Sequence, residues 1–71
     1  MIYAIFFKQF IKEGEIINES VHSQFIGYIP RICESVEITG THYQVTDIHY
    51  YIDEVETCVQ IMLEEIKDQC K

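Results

Sequence analysis

The scarcest thing in this sequence is positive charge. Between Lys12 and Lys67 there are eleven acidic side chains and one base, Arg31, and the whole chain carries a formal net charge of −7. A surface with that balance repels phosphate backbones and anionic membranes and attracts basic patches on other proteins. Direct binding of long nucleic acid and docking on a membrane are therefore the first functions to be excluded. Five tyrosines, Tyr3, Tyr28, Tyr43, Tyr50 and Tyr51, offer rings of the kind on which bases stack. Without lysine and arginine beside them, no counterion release offsets the repulsion.

Other absences narrow the class further. No apolar run approaches the ~18 residues needed to span a bilayer. The apolar start from Ile2 to Phe7 lacks the basic flank and small-residue cleavage site of a signal peptide, so a cytoplasmic protein is expected. Cysteine occurs three times, at Cys33, Cys58 and Cys70, odd in number and widely spaced. That pattern argues against a disulfide framework and for reduced thiols, with Cys70 exposed near the end of the sequence. Tryptophan is missing and proline occurs once.

What is present points to a folded domain. Apolar residues make up 48% of the 71 positions and charged residues 24%, a globular rather than a disordered composition. Residues 1–71 have room for a single small domain, and a chain of this size buries only about 60% of its unfolded surface. Thirteen isoleucines and nine aromatics tilt the balance toward strands, because β-branched and aromatic side chains suit a pleated, half-buried surface.

Along the chain, Ile2 to Ile11 is apolar on both parities until Lys8 and Gln9 interrupt it. Such a strand is either central in a closed barrel or lies against a partner subunit. Gly14, flanked by charges, predicts a hairpin turn, and Glu15 to Gln24 returns as a polar edge strand. Gly27 and Pro30 then predict a bent connection through Phe25 to Arg31. Ser35 to Ile38 and His42 to Ile52, joined through Thr39, Gly40 and Thr41, form a second hairpin with Val36 and Ile38 opposite Tyr43 and Val45. Alternation slips after Val45, which places Thr46 or Asp47 in a bulge. A turn follows at Asp53 and Glu54. The last segment has two readings. Val55, Cys58, Val59, Met62, Leu63, Ile66 and Cys70 fall at helical spacing, giving an α+β chain with residues 54–69 as a C-terminal amphipathic helix. As a strand, the same stretch puts Val59, Ile61 and Leu63 on one face, and Thr57, Cys58 and Val59 are poor helix formers.

Few constellations suit chemistry. His42, His49, Cys33 and Cys58 are of metal-ligating type, but no Cys-x-x-Cys or His-x-x-x-His spacing joins them, and no metal or other cofactor is expected. A thiol nucleophile beside His49 would need a water-excluding pocket deeper than so small a domain offers. The acidic pairs Asp53 with Glu54 and Glu64 with Glu65 read as a turn and a solvated face, since neighbouring strand positions point to opposite sides. Catalysis is not expected. Arg31 has two readings: a pin that pairs with Glu34 or Glu37 and ties the loop to the hairpin, or, with Tyr28, a clamp for a small anion.

Ile29, Pro30, Arg31 and Ile32, then Val36 to Gly40, then Tyr43, Gln44 and Val45, then His49 to Asp53, together resemble a pattern of small bacteriophage and prophage proteins. In these a Pro-Arg dipeptide precedes a β-hairpin, a strand ends in a Tyr-Ile-Asp-like turn, and a last strand follows. The resemblance covers about the second half of the chain, and the family has glycine where this chain has Cys33. It implies an all-β, SH3-like five-stranded barrel and favours the strand reading of Thr57 to Leu63. It also implies a mobile-element origin, a setting in which small acidic proteins inhibit host systems, anti-CRISPR proteins among them.

The leading expectation is thus a non-catalytic, phage-encoded inhibitor in the host bacterial cytoplasm. It docks on a basic surface of a host defence protein such as a CRISPR nuclease, its acids imitating phosphates. Glu34, Glu37, Asp47, Asp53, Glu54 and Glu56 are the candidate contacts, with Tyr50 and Tyr51 as anchors. Two alternatives stand beside it. One is a homo-oligomer, such as a dimer, that sequesters a nucleotide signal through Arg31 and Tyr28. The other is a structural component of the virion.

Overall fold

The computed structural model describes residues 1–66, and Cys70 and the end of the 54–69 helix reading lie outside them. Five strands form: β1 (Ile2–Lys12), β2 (Glu15–Ile26), β3 (Ser35–Ile38), β4 (Thr41–Ile52) and β5 (Thr57–Glu65). They make one mixed sheet in the order β2-β1-β5-β4-β3. The chain is all-β as expected, and no helix is long and apolar enough to cross a membrane among the described residues.

Two antiparallel units build this sheet, a β1–β2 hairpin and a β3–β4–β5 meander, and a parallel pairing of β1 with β5 joins them. Both tight turns are made alike. Glu13 and Gly14 have φ of 53° and 81°, and Thr39 and Gly40 have 46° and 87°. Two successive positive values match the right-handed twist of the flanking strands, which is why two-residue hairpins favour glycine at the second position. The short second turn makes Ile38 face Thr41, not Val45 as the sequence predicts, while Val36 does face Tyr43.

The helical reading of residues 54–69 fails for Thr57–Glu65, which pairs on both sides as a central strand. Val59, Ile61 and Leu63 are wholly buried on one face of it, and at about 1.5–3 kcal/mol per buried aliphatic side chain this alternation outweighs the helical stripe. Ala4, Phe6, Tyr43 and Val45 complete the core. β1 is central, between β2 and β5, but in a sheet that stays open rather than in the closed barrel expected for it, and its residues from Ile2 to Phe10 are all buried or half-buried.

The sheet curls without closing. β2 and β3 remain its two edges, and Val21 and Ile26 from β2 pack on the same core as Val36 and Ile38 from β3. Residues 27–34 cross between these edges, with Ile29 against the core and Pro30 buried. Proline suits this stretch because it supplies no ladder donor.

Candidate protein-binding surface

All eleven acidic residues of the described region are exposed, and no polar or charged residue in it is buried. Its few cations do little to offset them. Lys8 Nζ lies 3.3 Å from Glu65 and also sits 5.6 Å from the Phe10 ring centre. Lys12 closes the first hairpin opposite Glu15.

Five of the six candidate acids fall into two groups, and Asp47 lies between them along β4. Glu37 on β3 pairs with His42 at 3.3 Å, and Glu34 lies just before β3. Asp53, Glu54 and Glu56 form the β4–β5 turn. His42 lies near the start of β4 and Asp53 just past its end at Ile52, eleven positions on and, at about 3.3 Å per residue, roughly 35 Å along the chain, so the two groups stand at opposite ends of the strand.

Arg31 and Glu34 are tied together, but not through the guanidinium. The Arg31 backbone N–H donates to Glu34 Oε1 at 2.8 Å, and the Glu34 N–H returns a bond to the Arg31 carbonyl at 3.0 Å. Among the described residues the guanidinium itself forms no ion pair. Tyr28 is exposed beside a cavity of about 370 Å³ that is also lined by Phe6, Phe25, Pro30 and Glu34. The charge at that cavity is a carboxylate, which opposes an anion there. Cys33, next in the loop, has φ of 77°, a conformation that costs a residue with a Cβ and explains why glycine suits the position.

The tyrosine anchors separate as well. Consecutive strand residues face opposite ways, so Tyr50 points with Ile48 and Ile52 toward the core side and Tyr51 points with His49 toward the outer side. Both are more than half exposed, at 52% and 58%. Tyr50 faces Val59 across the ladder and Tyr51 faces Cys58.

Sequence reasoning missed what lies along this part of β4. The strand has twelve residues and β3 has four, pairing only from Thr41 to Gln44. The loop before β3 extends that cover by one residue: the Val45 N–H donates to the Glu34 carbonyl, and the Val45 carbonyl accepts from the Cys33 N–H, both at 2.8 Å. Beyond Val45 a bulge at Thr46 shifts the register, and Thr46 Oγ1 donates to the Met62 carbonyl at 3.3 Å. From there to Ile52 the side of β4 away from β5 has no strand beside it among the described residues.

The hydrogen-bond alternation says which groups face this open side. The Asp53 N–H donates to the Glu56 carbonyl at 2.9 Å, so His49 and Tyr51 are the residues that exchange bonds with β5. Ile48, Tyr50 and Ile52 turn their N–H and C=O groups outward. A separate contact agrees: the Ile48 N–H is taken by Asp47 Oδ1 at 2.9 Å. Asp53 Oδ1 likewise accepts the Glu54 N–H. Two exposed apolar residues, Ile52 at 76% and Val55 at 89%, stand at the end of this edge. The one sign of it in the sequence was the unequal length of the two predicted strands.

No three His, Cys, Asp or Glu side chains converge as a metal site would require among the described residues. Cys33 and Cys58 are free thiols on separate elements. No family model, curated protein or solved structure matches this chain.

Proposed function

We propose that this chain is a non-catalytic acidic binding protein that docks on a basic surface of a partner protein. The observation that carries the reading is that every acidic residue among the described ones is exposed, against cations there that are few and partly paired. Such a surface gains association rate and selectivity from charge complementarity, and exposed tyrosines add contact area at small entropic cost. The resemblance to phage proteins extends the proposal to an inhibitor of a bacterial nucleic-acid-binding protein, such as a CRISPR nuclease, whose basic groove the acids would occupy. The nucleotide-sequestering reading is less well supported, because Glu34 is the charge at the cavity beside Tyr28.

The test is capture from a bacterial lysate with tagged protein at low and high salt, repeated with two neutralised variants. One carries Glu34→Gln and Glu37→Gln, the other Asp53→Asn, Glu54→Gln and Glu56→Gln. Partner recovery is expected to fall steeply with salt and to be lost in at least one variant. Recovery that ignores both salt and neutralisation overturns the proposal.

A further inference from the structure

We infer that the open edge of β4, from Thr46 to Ile52, receives an extended basic segment of the partner as an added strand. The inference rests on the acidic-binder reading and gives it a binding mode.

Three observations converge on this edge. Its outward groups are arranged as a strand acceptor: the Ile48 carbonyl and both backbone groups of Tyr50 and Ile52 face away from β5, while the Ile48 N–H is occupied by Asp47. The cover ends abruptly, since Cys33 and Glu34 bond to Val45 as a neighbouring strand would and nothing described continues beyond them. An incoming strand would extend the line that β3 and its loop begin. The side chains alternate suitably too, with Tyr50 and Ile52 offering apolar surface on one face and Tyr51 on the other. Strand addition takes its affinity from the backbone and its selectivity from such alternate positions.

Charge selects the occupant. Asp47 lies at one end of the edge, and Asp53, Glu54 and Glu56 lie at the other. Asp47 and Asp53 are six positions apart, about 20 Å, so the fitting segment is a short β-forming run with lysine or arginine at each end. A second copy of this chain fits less well. Antiparallel self-pairing that matches the outward groups of Ile48, Tyr50 and Ile52 with their copies centres on Tyr50 and sets Asp47 against Asp53, and like charges directly opposed are destabilising. The same acids keep the free edge from pairing indiscriminately.

The probe is the peptide Lys-Val-Thr-Val-Thr-Val-Lys, compared with a version N-methylated at alternate amides and a version with glutamate at both ends. Binding to the intact protein is followed by amide chemical shifts and hydrogen exchange. The lysine peptide is expected to slow exchange at the Tyr50 and Ile52 amides at least tenfold at about 1 mM. The N-methylated and glutamate peptides should leave both amides unchanged. Tyr50→Pro removes one outward N–H without touching the β5 ladder and should abolish the protection at Ile52, whereas Tyr50→Thr should keep it. Absence of protection at Tyr50 and Ile52 with the lysine peptide overturns the inference, as does equal binding of the N-methylated peptide. Protection that grows with protein concentration alone also overturns it, naming a second copy as the occupant. Should Tyr50→Pro fail to fold, the N-methylated peptide still decides. Salt-sensitive capture of a lysate partner by wild type and Tyr50→Pro alike removes the strand-addition mode and leaves the acidic-binder reading standing. Loss of that salt sensitivity removes the acidic-binder reading itself.

Discussion

Tyr43 and Tyr50 are the same residue on the same face of the same strand, yet one is 6% exposed and the other 52%. The difference is coverage. The first half of β4 is flanked by β5 on one side and by β3 and its loop on the other. Among the described residues the second half has β5 alone. Residue type and strand position are thus insufficient to place a side chain in the core, because burial here depends on whether a second neighbour arrives. One half of the strand stabilises the fold, and the other is left uncovered on one side among the described residues.

The largest test of this contrast is truncation of each tyrosine. Tyr43→Ala should cost about 3 kcal/mol by denaturant unfolding, as expected for a large buried side chain, and Tyr50→Ala less than about 1 kcal/mol. Equal costs would show that the second half is covered after all. Hydrogen exchange gives a finer comparison: the His49 and Tyr51 amides should exchange about a hundredfold more slowly than those of Tyr50 and Ile52, because only the former bond to β5. Uniform protection from His49 to Ile52 would erase the distinction between the edges.

Smaller effects test the covered half. Gly40 at φ 87° holds the turn that brings β3 onto β4, so Gly40→Ala should destabilise the protein by about 1–2 kcal/mol. Relief of strain at Cys33 should act in the opposite direction. Cys33→Gly is expected to stabilise the protein by about 0.5–1 kcal/mol, measured as a shift in the urea midpoint, provided the bonds from this loop to Val45 are kept. A loss of stability would mean that the thiol makes a contribution larger than the backbone strain.

Much of the fold was legible in the residues. Gly14 and Gly40 marked both hairpins and the slip after Val45 marked the bulge, whereas the residues of the last segment left helix and strand both open until pairing with β1 and β4 decided for the strand. The turns and the bulge are local signals, set by backbone sterics and by the two-residue period of a strand. The candidate site was read less well. Glu34 and Glu37 look close in sequence to the acids at Asp47 and beyond, yet the length of β4 holds the Glu37 and Asp53 groups far apart. Tyr50 and Tyr51 are neighbours in sequence, and the pleat turns them to opposite faces. The Arg31 guanidinium looks like the pin of its loop, yet it is the Arg31 backbone N–H that donates to the Glu34 carboxylate.

The acidic surface, the strand-rich build and the positions of the turns follow from residue types alone, since charge, side-chain branching and glycine act where they stand in the chain. That β5 lies parallel to β1, that the sheet stays open and that β4 outruns its neighbour came from the folded arrangement. Those outcomes depend on which distant segments pair, and the free energy of pairing comes from surfaces that no single stretch of sequence contains.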